Sequence, residues 1–433
     1  MNKSAQSFMT RTARSLYRII LTVVCLCILT HFKVSSLCTM NRIAIVGGGY
    51  AGLGTGVRLS KIAKSIHVYD NFAPGSADAS STSAGIMHPM ATRGKIIWKG
   101  KEGMQQALEL MGSVQTSSSG PIYDDTVNLN RLLFTQKDVD LWSNAAAETP
   151  EDLELLDKSH FSNTEALGAV RVKNAVLVNS PVYLNALWAA IAHNCPGAEW
   201  KQRRIESIGE LSTQYDAVIL ACGAGILKLC NDVTLPVGNK VDSIRLVRGQ
   251  NALFESNDAT EDDTTNKQDI YLSGEYVIPC TPSADSNLIN GKDTTCKKKH
   301  YLLGGCTHEH ITSLQYEQLY STGDKRPDLS VLQSQIHHRL QRLYPTIHRD
   351  YTPVRTTAGT KVVTNRGTLG RLPVVGRLHM HTQNQACSNV WIHTGFGSRG
   401  LILHALTSNY LSEAIIQNDE SRIPECLHLV GKN

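Results

Sequence analysis

The segment Asn41-Arg42-Ile43-Ala44-Ile45-Val46-Gly47-Gly48-Gly49-Tyr50-Ala51-Gly52 decides the fold. A short apolar strand runs into Gly-x-Gly-x-x-Gly, and an amphipathic helix follows. Gly47 makes the tight turn out of the strand. Gly49 lets the backbone approach a pyrophosphate without a Cβ in the way, and Gly52 lets the helix pack closely on the sheet. Tyr50 and Ala51 open that helix, whose free N–H groups and positive dipole end suit phosphate. A second strand, Ser65-Ile66-His67-Val68-Tyr69-Asp70, ends in an acid at the spacing expected for a ribose contact. No Arg or Lys stands beside Asp70 to hold a 2′-phosphate. The alternative is a glycine-rich turn with no ligand. Strand, glycines, helix, strand and acid in this order argue against it.

Charge is set by the first residues. The 433-residue chain carries 43 Lys and Arg against 38 Asp and Glu, a net charge of +5. Residues 1–39 hold five of the cations (Lys3, Arg11, Arg14, Arg18 and Lys33) and no acid, which leaves 38 against 38 from Met40 onward. A neutral body argues against a partner bound mainly through phosphates. The apolar run from Ile19 to Leu29 is short for a membrane span and suits a signal h-region. Three readings of residues 1–39 stand: a secretory signal or short anchor, an organelle transit peptide, or a leader upstream of a true start at Met40. The membrane is expected as a partner only through this segment. From Met40 onward the cysteines (195, 222, 230, 280, 296, 306, 387 and 426) form no Cys-x-x-Cys and read as free thiols. Free thiols suit a reducing compartment such as plastid, mitochondrion or cytoplasm.

Helices are expected after Gly49, over Pro181 to His193, over Asp328 to Leu343 and from near Ser398. A buried strand ends in Ala221-Cys222-Gly223-Ala224-Gly225. Ile270 to Leu272, Tyr276 to Pro279 and Tyr301 to Gly305 read as antiparallel strands of a second layer. Two polar stretches, 255–267 and 283–299, read as inserted loops. The fold class expected is α/β, with a discontinuous nucleotide-binding domain (40–94, 165–240 and 350–425). A mainly antiparallel α+β domain (95–164 and 241–349) would bind substrate.

Two further segments suggest chemistry. Ala79-Ser80-Ser81-Thr82-Ser83-Ala84-Gly85-Ile86-Met87-His88-Pro89 is small and hydroxylated enough to wrap a flat ring and phosphates; a serine-rich surface loop is the competing reading. Val390 to Thr394 runs into Gly395-Phe396-Gly397-Ser398-Arg399-Gly400-Leu401, another strand, glycine turn and helix start. Its dipole would stabilise negative charge on a reduced flavin, although a second phosphate loop or a plain strand–helix turn has the same pattern. His308-Glu309-His310, His337-His338 and His379-Met380-His381 lack a recognised metal-ligand spacing, and no metal is expected.

In this order, these pieces resemble the D-amino-acid oxidase-like family of flavin-dependent oxidoreductases. That family also contains glycine oxidase, sarcosine oxidase and the flavin domain of the bacterial bifunctional tRNA wobble-uridine modification protein. The similarity is closest to its plant and algal branch and runs from about Arg42 to the helix carrying Ile415. Val178-Asn179-Ser180-Pro181, Val247-Arg248-Gly249-Gln250 and Gly304-Gly305-Cys306-Thr307 add to it.

The resemblance implies a Rossmann-like domain holding FAD through Gly47, Gly49, Tyr50, Ala51, Gly52 and Asp70. It adds Ser80, Ser81, Ala84, Gly85 and Gly223, and the turn carrying Gly395, Gly397, Ser398, Gly400 and Leu401. It implies a carboxylate-binding Arg before a Leu-Pro-Val-Val-Gly run. Here that is Arg355, before Leu372-Pro373-Val374-Val375-Gly376; a salt-bridge role is the alternative. Arg399 is a second candidate, and Tyr276 lies where the family places residues over the flavin. The covalent-flavin cysteine of sarcosine oxidases has no counterpart between Thr356 and Arg371, so noncovalent FAD is implied.

The expected activity is two-electron oxidation of a C–N bond in an amino acid or secondary amine, with O2 or another acceptor taking the electrons. A tRNA wobble-uridine-modifying flavoprotein and a non-catalytic flavin-binding assembly factor are the alternatives.

Overall fold

Parallel pairing is the first consequence of the apolar strands. The structure is a computed structural model that describes residues 40–76, 78–158, 161, 163–231, 235–257, 269–280, 300–321, 338–379 and 389–430, with 306–308 as backbone alone. The strands are β1 (Arg42–Val46), β2 (Ser65–Asp70), β3 (Ile86–Met87), β4 (Tyr123–Asp124), β5 (Asn128–Leu133) and β6 (Leu153–Leu156). Then come β7 (Gly168–Val172), β8 (Val176–Val178), β9 (Gly197–Gln202), β10 (Ala217–Leu220), β11 (Arg245–Ser256) and β12 (Asp269–Ser273). The last are β13 (Glu275–Cys280), β14 (Tyr301–Ile311), β15 (Tyr351–Val363), β16 (Val374–Arg377) and β17 (Val390–Thr394).

One sheet has the order β16-β17-β10-β1-β2-β9 and is parallel apart from its β16–β17 edge. Ile43, Ala44 and Ile45 are fully buried, as strands covered on both faces must be. The Tyr50–Leu59, Ser180–Asn194 and Gly400–Gln417 helices pack together beside it. Glycines set how close they come: a methyl group on Gly54 would sit 2.8 Å from Ser408 Oγ, and one on Gly56 2.7 Å from Ile191. Pro181 lies in the first turn of the second of these helices, and Asn179 caps it by accepting from Val182 N.

The second sheet runs β15-β11-β14-β13-β12-β5-β7-β6. Its strands are antiparallel except β12 and β5, which pair parallel with Asp269 opposite Asn128. The strands expected at Ile270, Tyr276 and Tyr301 pair antiparallel in the order β12-β13-β14, and the domain is mainly antiparallel as the sequence suggests. Side chains alternate between two cores. Leu132, Phe254, Val277 and Leu302 lie on one face, and Leu129, Ile270 and Ile278 on the other. A small antiparallel sheet, β3-β8-β4, adjoins them. β11 continues through Ser256, so the first two residues of the expected 255–267 insertion are strand. The remainder of that insertion from 258, the whole of 283–299, and 328–337 of the expected Asp328 to Leu343 helix lie outside the described residues. Residues 338–340 of that helix are helical. Cys195, Cys222, Cys230, Cys280 and Cys426 are free thiols. No helix among the described residues is long and apolar enough to cross a membrane.

Candidate cofactor and substrate site

The glycine loop is built by close approach. Gly47 has φ +111°, and a methyl group there would lie 2.3 Å from the Ala221 carbonyl oxygen of the neighbouring strand end. One on Gly52 would lie 2.0 Å from the Gly47 carbonyl oxygen. Gly49 is the N-cap of the Tyr50–Leu59 helix and supplies no side-chain cap of its own. Asp70 holds this loop: its carboxylate accepts from Gly48 N at 2.7 Å and from Phe72 N at 2.9 Å. Gly48 is constrained as well, because a methyl group there would run into the Trp200 ring at 2.2 Å.

A cleft of about 130 Å³ opens at the carboxyl ends of β1, β2 and β10, lined by Gly47, Gly49, Asp70, Ser80 and Ala221 to Gly225. Ligands of open α/β sheets bind at this end. Gly223 has φ +54° and nothing near its Cβ direction.

The serine-rich segment folds over the cleft. Ser80 Oγ accepts from Tyr50 N at 3.3 Å. Ser83 Oγ shares hydrogen bonds with Tyr50 Oη at 3.1 Å and Ser180 Oγ at 2.7 Å. Burial pushes the Tyr50 phenol up to about 12. Ser81 instead turns back to the Asp78 carbonyl. Gly85, at φ +76°, passes so close to Val178 that a methyl group would lie 2.1 Å from its carbonyl oxygen. Ala84 and Ile86 pack on the core cluster that contains Ile270 and Ile278.

The second glycine turn arrives beside the first. Gly395 and Gly397 have φ +81° and +57°, and Phe396 bridges to Val363 of β15. Gly397 N donates to the Val362 carbonyl at 2.8 Å. The Gly400–Gln417 helix starts against Tyr50, whose ring lies 3.6 Å from where a Gly400 methyl would stand. Leu401 is buried, whereas Ser398 is exposed. The Thr394 hydroxyl, directly before Gly395, is buried without a partner among the described residues. His393 is a core residue, hydrogen-bonded to Thr55 Oγ1 at 3.1 Å and Thr407 Oγ1 at 2.8 Å; burial pushes its imidazole down to about 3.

The second sheet faces this assembly through β11, β13 and β15. Asn251 Nδ2 donates to the Thr82 carbonyl at 2.8 Å, and Tyr276 Oη donates to Asn251 Oδ1 at 2.5 Å. Gly305 makes room for that tyrosine, since its missing methyl would meet Tyr276 Oη at 2.2 Å. Gly359 of β15 abuts the Ser80 segment, with Thr82 Oγ1 at 2.2 Å and Ala79 Cα at 2.8 Å from its Cβ direction.

The three expected substrate residues are not gathered at one point. Tyr276 is on the inward face. Arg355 pairs with Leu253 on β11, shares the Gly359 side of β15 by alternation, and is half-buried. Its side chain makes no hydrogen bond or ion pair among the described residues. Arg399 is held elsewhere: its Nη1 donates to the Arg371 carbonyl at 2.7 Å, beside Gly370.

Sequence reasoning missed Lys361. It lies on the Gly359 side of β15, between Gly359 against Thr82 and Val363 against Gly397. Its side chain crosses over Gly249, with Cε 3.8 Å from that residue's Cβ direction. Burial lowers its pKa, and it has no partner among the described residues. The available signal was a lone cation in the otherwise uncharged run Ala358-Gly359-Thr360-Lys361-Val362-Val363.

These residues fit an adenine dinucleotide carrying a flat ring: a glycine cradle, an open cleft, a second helix start and an orphaned hydroxyl at the far turn. A family model described as FAD dependent oxidoreductase (DAO) matches residues 42–414. A glycine oxidase from Geobacillus kaustophilus superposes with TM-score 0.67 at 18% identity, covering 91% of this chain and 99% of its own. An iminodiacetate oxidase from Chelativorans sp. BNC1 gives 0.65 at 14%, covering 90% and 100%. An L-proline dehydrogenase from P. horikoshii gives 0.61 at 13%, covering 88% and 94%. Comparison with curated protein sequences gave no match.

Proposed function

Because the chain belongs to the DAO family of FAD-dependent oxidoreductases, we propose that it oxidises the C–N bond of a carboxylate-bearing amine or amino acid. Bound FAD, held noncovalently, supplies the two-electron acceptor that takes hydride from the carbon next to nitrogen, and O2 or another acceptor removes the electrons afterwards. Gly47, Gly49 and Gly52 admit the pyrophosphate, and the Tyr50–Leu59 helix start faces it with N–H groups. Asp70 fixes the loop and meets the ribose. The Gly395 turn sets the Gly400–Gln417 helix start at the opposite end.

On the substrate side, the work of the chain is orientation and electrostatics. Lys361 offers a half-buried positive charge for a carboxylate. Tyr276, braced by Asn251, offers a hydroxyl, and Arg355 stands further along the same strand as Lys361. The substrate nitrogen needs only to lose its proton to water. The observation that carries this reading is the unpaired Lys361 between the serine-rich segment and the Gly395 turn.

The test is a visible spectrum of protein purified from Met40, followed by anaerobic mixing with a panel of amino acids. Bound flavin that is bleached by carboxylate-bearing amines supports the reading. A colourless protein that takes up no FAD removes the cofactor. A yellow protein that no amine bleaches favours an assembly factor.

A further inference from the structure

Residues 351–412 contain six Lys and Arg and not one Asp or Glu. The fold gathers part of that imbalance at one place. Between β15 and β16 the chain turns through a hairpin, residues 364–371, in which Gly367 and Gly370 exchange backbone hydrogen bonds at 2.9 and 3.0 Å. Thr364 Oγ1 closes its base by donating to the Leu372 carbonyl at 2.7 Å. Gly370 has φ +91°, and a methyl group there would lie 3.4 Å from Arg399 Nη1.

Arg366 and Arg371 belong to the hairpin itself. Arg371 Nη1 donates to the Thr364 carbonyl at 2.7 Å, and Arg399 Nη1 donates to the Arg371 carbonyl at 2.7 Å. Arg245, opposite Val363 at the start of β11, donates to Asn365 Oδ1 at 2.8 Å. Four arginines therefore surround one turn, and none of them makes an ion pair among the described residues. A carbonyl or amide oxygen accepts a hydrogen bond but leaves the positive charge in place, so the like charges repel. Burial, and then Arg366 and Arg371, hold Arg399 below its usual value.

The tip projects into solvent. Residues 365–369 are all exposed, and Leu369, between Arg366 and Arg371 in the chain, keeps 51% of its surface accessible. Arginine is enriched at protein–protein interfaces, and a braced hairpin has already met the cost of ordering. A small ligand would need a concavity. Single-stranded nucleic acid would need aromatic platforms, and among the described residues no aromatic side chain is a large exposed apolar group.

We propose that this hairpin, together with Arg245 and Arg399, is a docking surface for an acidic protein partner, whose carboxylates pair with the guanidinium groups while Leu369 packs on an apolar residue among them. Phe396 bridges to Val363 at the root of the hairpin, and Arg399 leads directly into the Gly400–Gln417 helix. The partner would therefore sit beside the second glycine turn. Docking itself does not depend on the oxidase reading.

The experiment uses the purified protein loaded with FAD and a fluorescein-labelled peptide of alternating Glu and Asp around a central Leu. The same peptide with Gln and Asn in place of the acids is the comparison, and anisotropy is followed at rising NaCl. The acidic peptide should bind at least about tenfold more tightly at low salt, and the preference should fall as salt rises. Arg366→Glu combined with Arg371→Glu should erase it. If that pair does not fold, as judged by melting and flavin content, Arg366→Glu alone decides and should cut the preference about threefold, the worth of one exposed pair. Lys137→Glu makes the same charge change on the exposed side of the Gln136–Glu148 helix and should leave the preference intact. Equal binding of the two peptides by the parent, an unchanged preference in the arginine variants, or an equal loss in Lys137→Glu overturns the proposal. So does tighter binding of a single-stranded RNA of matching charge, which would make this a nucleic-acid surface. A preference that persists in a protein no amine bleaches removes the oxidase reading and leaves the docking surface standing.

Discussion

Replacing Lys361 by methionine should make the substrate-free protein more stable and its carboxylate binding weaker. The unbranched methionine side chain would fill the same path over Gly249, so packing is nearly kept. What is lost is a buried, unpartnered ammonium. Leaving such a group without a partner costs about 1–3 kcal/mol, and a charge costs more. Its removal should therefore raise the melting temperature by several degrees.

The pH dependence identifies the cause. Burial depresses the Lys361 pKa below its usual 10.5. Below the folded-state value both states hold the proton. Between that value and 10.5 the unfolded chain binds more protons, so stability rises with pH across this window. In Lys361→Met that rise should vanish. Conversely, losing one partner of a buried charge pair weakens binding by about 2–5 kcal/mol, or roughly 30- to 5,000-fold. The assays are thermal melts from neutral pH to beyond the ordinary lysine pKa and anaerobic flavin reduction against substrate concentration. A variant that melts lower than the parent and keeps its KM would refute the placement of this amine in the site.

Four further outcomes follow from the same geometry. Gly52→Ala puts a methyl group 2.0 Å from the Gly47 carbonyl and should yield colourless protein, checked by the absorbance ratio of flavin to protein. Arg355→Ala should raise KM for carboxylate substrates by less than Lys361→Met does; equal or larger effects would make Arg355 the principal carboxylate ligand. Asn251→Ala removes the bonds to Thr82 and Tyr276 and should cost about 1–3 kcal/mol of substrate binding with FAD content unchanged. His393 and His404 are pushed down from 6.5 to about 3 and 4, so the unfolded chain binds protons first as pH falls below 6.5. Melting temperature should therefore drop steadily from pH 6.5 to 4, and His404→Gln should flatten part of that slope.

The cofactor half of the site was legible because its information is local. Gly47, Gly49 and Gly52 sit in one short run whose spacing encodes a turn and a helix start, and the Gly395 turn repeats that grammar. That β10 and β17 would join β1 in one parallel sheet, β10 beside β1 and β17 beside β10, fits their apolar, doubly buried pattern. The substrate half was less legible because it depends on register. Lys361 is inward only because Gly359 is, and Gly359 is inward only because β15 pairs with β11 at Gly249. A one-residue slip would turn Lys361 to the other face and bring Thr360 in. The parallel β12–β5 pair joins residues as far apart as Asn128 and Asp269, for which no local signal exists.

The neutral balance of 38 cations and 38 acids from Met40 onward conceals how charge is placed. Most acids near cations are engaged in exposed pairs, such as Lys99 with Glu102 and Arg203 with Glu210, which contribute little to stability. Lys361 and Arg131, whose guanidinium lies over the Trp142 ring with its Nε buried and without an acceptor, are the reverse: sheltered, on the inward side of one sheet, and lacking ion pairs among the described residues. Neither arrangement favours folding by itself, so each is a local cost that an arriving anion relieves. Binding energy would then be concentrated where desolvation has already been met in the folded chain, as preorganised sites require. A protein organised this way should gain stability from added carboxylates, and that gain should shrink in Lys361→Met and Arg131→Met separately. Because the two residues lie five strand spacings apart in the row from β15 to β5, about 24 Å, no small dicarboxylate reaches both, and their effects on stabilisation by carboxylates should add. Strong non-additivity in the double variant would mean that one anion reaches both, and the site would have to be drawn as a single smaller pocket.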